Sequence, residues 1–175
     1  MSLMSDLKSI VTSAINDLER ANFSWWSHEK AQLLLEKLQN VQSRELNNRQ
    51  SLRHLSASMV VRKQDKMVFI EHPYLHQTLL PAGHVEPGEI PIETAVRELM
   101  EETGLAVAGD NHTQLIDINI ISIPANPIKG EGPHEHIDLR YRVSEVNQTH
   151  QTPELPVSWL TYAEAPVEFQ PYFGD

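Results

Sequence analysis

The stretch "GHVEPGEIPIETAVRELMEETGL", from Gly83 to Leu105, constrains this chain more than any other. Pro91 suits the first turn of a helix, where its missing N–H would be unpaired in any case. Gly104 suits the left-handed position that closes one. Between them Ile92, Ala95, Val96 and Leu99 form an apolar face for a sheet. Glu98, Glu101 and Glu102 fan along one flank of that helix at i, i+3 and i+4, so their carboxylates are neighbours. Arg97 is expected on the other side, within reach of Glu89 or Glu93. The Gly- and Pro-rich loop "PAGHVEPGE" before the helix can bring a backbone carbonyl, such as that of Gly83, towards the same flank.

Three glutamates on a helix are usually just a solvated face. Three carboxylates and a carbonyl together, however, make a hard, all-oxygen site, which suits Mg²⁺, or Mn²⁺, better than zinc. Such an ion keeps several waters and completes its shell with substrate phosphates. It polarises a phosphoryl oxygen and lowers the pKa of a bound water. A carboxylate left partly free can then take the water's proton.

The flanking sequence predicts what surrounds this helix. Leu7, Ile10, Val11, Ala14, Ile15 and Leu18 recur at helical spacing, which predicts a helix over residues 5–21. Ser27 is the expected N-cap of a second, with Ala31, Leu34, Leu35, Leu38 and Val41 as its stripe. Residues 1–50 therefore read as a helical hairpin, with Met1–Leu3 taken as an expression remnant. Leu33, Leu34 and Leu35 together offer more apolar surface than a hairpin needs. The stripes are expected to pack on the sheet or on a second copy, with a homodimer favoured. Trp25 and Trp26 are read as packing residues. From His54 onward the pattern changes to strands: "SASMVVRK" and "KMVFIEH" around a Gln64-Asp65 turn, then "QLIDINIISI", "HEHIDLRYRV" and "LPVSWL". Strands around one central helix predict an α+β fold, an α/β/α sandwich with a mixed sheet, in residues 51–175.

Spacing then identifies a family. Gly83, five residues, Glu89, seven residues, then Arg97-Glu98-Leu99-x-Glu101-Glu102-x-Gly104-Leu105 matches the full signature of the Nudix hydrolases. The chain resembles them over about two thirds of its length, from His54 to Glu164. "HLSASMVV", "IPANP" and "HEHIDLRY" look like a bacterial subgroup. One departure precedes the signature: Thr78-Leu79-Leu80-Pro81-Ala82-Gly83 stands where that subgroup often has Trp-Leu-x-Pro-Gly-Gly, which bears on the pocket wall and loop.

The resemblance implies a Nudix fold and Mg²⁺-dependent hydrolysis of a pyrophosphate bond in a nucleoside diphosphate linked to another moiety. It implies Glu98, Glu101 and Glu102 as catalytic, metal-binding carboxylates and Gly83 as the carbonyl ligand. Glu98 matches the general base of some members; others use a glutamate outside the signature. Glu89 and Arg97 match a pair that holds the loop to the helix, and Gly104 completes the structural signature.

Outside the signature, His134, His136, Asp138, Arg140 and Arg142 share one strand face. His136, Asp138 and Arg140 are the expected substrate-binding residues, because such side chains suit phosphate. Glu131, Glu135 and Asp138 are the alternatives for a base. A zinc site at His134, His136 and Asp138 ranks lower, with no cysteine and no distant His pair at metal spacing. The formal charge of −10 argues against a nucleic-acid-coating protein, so no DNA partner is expected. No run approaches the roughly 18 apolar residues of a membrane helix and no secretory leader is visible, so no membrane partner is expected and a cytoplasmic location is. An isopentenyl diphosphate isomerase on this fold would need a catalytic cysteine, and the chain has none. A non-catalytic binding or regulatory module is the remaining alternative, though such modules often lose signature glutamates.

Overall fold

A computed structural model of the chain describes residues 6–109 and 113–174; the remnant expected at Met1–Leu3 lies outside these. Helix α1 (Leu7–Ala21) starts at Asp6, whose side chain accepts from Ser9 N, and ends at Asn22 in a left-handed conformation. Helix α2 (His28–Gln39) is capped by Ser27, as its position predicts, with Ser27 accepting from Lys30 N. Their expected stripes are buried: Leu7, Val11, Ala14, Ile15 and Leu18 on α1, Ala31, Leu34 and Leu38 on α2.

Strands follow: β1 (Arg53–Lys63), β2 (Lys66–His72), β3 (Gln77–Leu79) and β4 (Ala82–His84). Helix α3 (Pro91–Thr103) comes next, then β5 (Leu105–Val107), β6 (Gln114–Ile123), β7 (His134–Val143), β8 (Val146–Gln148) and β9 (Val157–Thr161). The chain closes in a 3-10 turn, Val167–Phe173. The main sheet runs β3-β2-β1-β7-β6, with β4 added on β1 and β9 on β2; β5 and β8 form a separate pair. It is mixed, because β1 and β7 are parallel and the other pairs antiparallel. This bears out the expected α+β fold.

Register sorts the side chains of β1 and β7 into two faces, since paired residues point the same way and neighbours alternate. Leu55 pairs with Ile137, Ala57 with Leu139 and Val61 with Val143. This apolar face is shared by two helical layers. The α1–α2 hairpin covers Leu55, Ile137, Leu139 and Ile118. Beside it, α3 covers Ala57, Met59, Val61 and Val143 with Ala95 and Leu99. The stripes that raised the prospect of a dimer are thus used within the chain; of the three leucines, Leu34 is buried while Leu33 and Leu35 are 47% and 37% exposed.

The other face is polar along half its length: His54, Ser56 and Ser58 on β1 meet His136, Asp138 and Arg140 on β7. All but His136 are buried. Its apolar end, Val60, Met67 and Phe69, lies under Phe169 and Tyr172 of the 3-10 turn. Phe23 and Trp25, from the α1–α2 connection, join this cluster. Trp25 packs as expected, donating Nε1–H to the Ile116 carbonyl (2.9 Å) and standing edge-on to Tyr172. Trp26 donates to Glu19 (3.0 Å).

Candidate active site

Helix α3 begins and ends where Pro91 and Gly104 place it. Glu93 turns back to accept from Ile90 N (3.1 Å), satisfying one of the free N–H groups of the first turn. At the other end Gly104 takes φ +73°, and its N–H reaches the Met100 carbonyl (2.9 Å). Ala95 and Leu99 anchor the helix on β1, which leaves Glu98 and Glu102 on the flank towards β4 and the cleft; Glu101, expected beside them, pairs with Arg97 and is not part of the cleft lining.

On β4, Gly83 pairs with Ala57 and so faces α3. A Cβ on Gly83 would stand 1.9 Å from Glu98 Oε1. Only glycine lets the carboxylate lie against this backbone. Glu102 reaches the same strand and accepts from Ala82 N (3.0 Å).

Arg97 departs from its expected direction. Its Nε and Nη2 donate to the two Glu89 oxygens (2.6 and 3.0 Å), as foreseen. Its Nη1, however, donates to Glu98 Oε1 (2.6 Å) and Glu101 Oε2 (3.1 Å), and Nη2 also reaches the His84 carbonyl (3.3 Å). Helical angle alone points Arg97 away. Its long side chain, lying back towards the helix N-terminus, brings the guanidinium among the carboxylates instead. It joins loop, strand and helix through charged hydrogen bonds, the stronger kind.

The electrostatics differ sharply between these acids. Hydrogen bonds from Arg97, helped by Thr94, hold the Glu89 carboxyl at about 2. Burial raises Glu98, and the adjacent Arg97 only partly offsets this. Burial pushes Glu102 up to about 8 against the opposing Ala82 N–H, and the charges of Glu98, Glu154 and Glu101 add to the rise. Glu98 and Glu102 thus form an oxygen-rich pair whose ionised forms the protein alone compensates poorly, beside a strand with no side chain in the way. This donor set fits Mg²⁺ or Mn²⁺.

A cleft of about 430 Å³ opens beside the pair, lined by Gly83, Glu98 and Glu102 and by His136, Asp138 and Arg140. The expected substrate-binding residues are therefore on its wall, but two are already engaged. Asp138 accepts from Ser56 and Ser58 hydroxyls (both 2.8 Å) and from Arg140 Nε (3.1 Å). Arg140 also donates to Tyr172 OH (2.8 Å), which donates to Asp117 (2.6 Å), itself paired with Lys30 of α2. Glu135, an alternative base, faces the hairpin and pairs with Lys37 and Arg53.

The sequence shows no distant His pair at metal spacing to join His134 and His136, and the structure supplies one. His54 and His84 meet His134 and His136 in one cluster at the cleft. Burial lowers the His84 and His136 pKa values to about 3 and about 2, so both imidazoles are neutral at pH 7.

Comparisons with known proteins point to one family. The family model described as NUDIX domain matches residues 52–173. A protein named "Probable DHNTP pyrophosphohydrolase" from Lactococcus lactis subsp. cremoris is 49% identical over 119 residues, covering 68% of this chain and 70% of that one. A bis(5'-nucleosyl)-tetraphosphatase (asymmetrical) from Rattus norvegicus is 31% identical over 100 residues, covering 52% of this chain and 60% of the relative. Among solved structures, a MutT NUDIX hydrolase from Burkholderia pseudomallei shares the fold, with TM-score 0.50 and 16% identity over 65% of this chain and 87% of that one. Because the family match runs over residues 52–173, well past half of the chain, the chain belongs to the NUDIX domain family.

Proposed function

We propose that this Nudix hydrolase uses Mg²⁺, or Mn²⁺, to cleave the pyrophosphate bond of a nucleoside diphosphate linked to another moiety. One observation carries the reading: Glu98 and Glu102, raised by burial, converge on the backbone of β4 at the mouth of the cleft. Glu98, Glu101, Glu102 and the Gly83 carbonyl would hold the ion, which when bound polarises a phosphoryl oxygen and acidifies water.

The chain's own groups do the rest. Arg97 fixes the Glu98 carboxylate through Oε1, leaving Oε2 to accept the proton of an attacking water. The water oxygen bonds to phosphorus, the anhydride P–O bond breaks, and the bridging oxygen leaves with the departing phosphate. A base with its pKa raised towards neutrality suits this transfer. Glu89 positions Arg97 and through it the loop. His136, Asp138 and Arg140 form the cleft wall against which the substrate lies.

Residues 1–50 are proposed as an appended hairpin and 51–175 as the catalytic domain, in the cytoplasm. No described helix is long and apolar enough to cross a membrane. The net charge of −10 supports a small-molecule substrate over DNA. A homodimer would use the exposed Leu33 and Leu35, since the stripes beneath them are covered. Light scattering reporting a monomer would remove it.

The test of function is a panel of nucleoside diphosphate derivatives assayed with Mg²⁺. DHNTP joins the panel because the relative named for it is 49% identical over 68% of this chain. Hydrolysis of at least one member, abolished by chelation, is expected. Tight binding across the panel with no hydrolysis would favour a non-catalytic binding module.

A further inference from the structure

We propose that His54, His84, His134 and His136 form a second metal centre, separate from the carboxylate flank, that takes a first-row transition ion such as Zn²⁺. The four come from three strands. β4 pairs antiparallel and β7 parallel with β1, so His84 and His136 fall beside the His54–Ser56 segment on the polar face of the sheet. One ring nitrogen from each histidine lies within 4.8 Å of those of the other three. His136 Nε2 is 3.1 Å from both His84 Nε2 and His134 Nε2. Tetrahedral ligands at ~2.0–2.1 Å from an ion stand about 3.3–3.4 Å apart, so small side-chain shifts complete the shell.

The ring orientations point the same way. His54 Nδ1 lies 3.0 Å from the Ser51 carbonyl and His134 Nδ1 2.9 Å from the Gly132 carbonyl. A carbonyl only accepts, so each Nδ1 carries the proton. In the neutral ring Nε2 then presents a lone pair to the cluster. A backbone carbonyl holding the far nitrogen is the usual support of a metal-bound histidine.

The lone pairs exceed the protons available. Protonated, His136 Nε2 is a single donor facing two nitrogens; unprotonated, its lone pair meets that of His134 Nε2. His54 is 1% exposed, and its Nε2 is buried with no hydrogen-bond partner. A buried polar atom left unpaired is uncommon in a native fold. A cation at the centre satisfies all four nitrogens at once.

Donor type separates the two centres. Imidazole suits Zn²⁺ and its neighbours in the first row, whereas Mg²⁺ takes oxygen. Four protein ligands make the closed shell of a structural rather than a catalytic zinc. An ion here would tie β4 to β1 and β7 through His84, the residue after Gly83, and so fix the strand against which Glu98 lies.

Metal-stripped full-length protein, titrated calorimetrically with Zn²⁺ in excess Mg²⁺, tests this without reference to any substrate. One tight equivalent of Zn²⁺ is expected, with a rise in Tm. Loss of a direct ligand in His134→Ala should weaken it by at least ~10-fold, the lower end for losing even a supporting group. His134 is only half-buried, so this variant is expected to keep its metal-free melting curve; His136→Gln is the second probe. Glu102→Gln should keep the Zn²⁺ equivalent. Failure of the wild type to hold Zn²⁺, unchanged affinity in both His variants, or loss of the equivalent in Glu102→Gln instead would each overturn the proposal.

Discussion

Gly83 and Glu98 are in such close contact that a single added carbon at Gly83 would fall 1.9 Å from Glu98 Oε1. Gly83→Ala should therefore displace the carboxylate without disturbing the core. A displacement of about 1 Å at a reacting group can cost ~10²-fold in rate. A drop in kcat of that order is expected, with Tm nearly unchanged. Full activity in Gly83→Ala would mean that the position of Glu98 is not critical.

Arg97 and Glu89 give the fold an acid-sensitive joint. The folded-state Glu89 pKa of about 2 lies below its ordinary 4.5, so its contribution to stability is present above pH ~4.5 and is lost as pH falls towards 2. Arg97→Met should lower Tm at pH 7 and flatten its decline between pH 4.5 and 2. An unchanged acid limb in that variant would contradict the role given to this pair.

Glu102 has the opposite sign. Its folded pKa of about 8 exceeds the ordinary 4.5, so the folded protein without metal binds the proton more tightly than the unfolded chain does. That contribution is fully present below pH ~4.5 and is lost as pH rises to 8. Glu98, raised in the same direction, adds to the trend. Thermal melts of chelator-treated protein should show Tm falling from pH 5 to 8. Added Mg²⁺ should recover it at the upper end, and Glu102→Gln should flatten the slope. A Tm that rises over this range without metal would count against the account.

The hairpin supplies a test of packing. Leu34 is 1% exposed between the hairpin and the sheet, so Leu34→Ala should cost about 2–5 kcal/mol in denaturant unfolding. Leu33→Ala, on the exposed side, should stay within ~0.5 kcal/mol. Equal effects at the two positions would contradict the observed register of α2.

What the sequence made legible was local. Pro91 and Gly104 bounded α3, Ser27 capped α2, and the heptad-like recurrences marked the buried sides of both hairpin helices. Fixed spacing brought Gly83, Glu89, Arg97 and the three glutamates into one motif. The rest depended on distance in three dimensions. Periodicity predicted an apolar stripe on α1 but not that it lies on Leu55 and Ile137, alongside α3. Helical angle misplaced the Arg97 guanidinium because a long side chain can fold back along its helix. The meeting of His54 and His84 with His134 and His136 required two strand registers, one of them parallel, that no short window contains. Strict alternation in "HEHIDLRYRV" placed Asp138 and Arg140 on one face, yet only tertiary contacts showed Ser56, Ser58 and Tyr172 engaging them.

The most direct measurement is kcat for Glu98→Gln at saturating Mg²⁺, on whichever member of the nucleotide panel the wild type hydrolyses, with Mg²⁺ affinity measured in parallel. Removing a general base costs ~10²–10⁴-fold in rate. The account predicts a fall of that order with Mg²⁺ still bound. A rate unchanged at saturating Mg²⁺, with only the metal affinity reduced, would contradict it and make Glu98 a ligand alone.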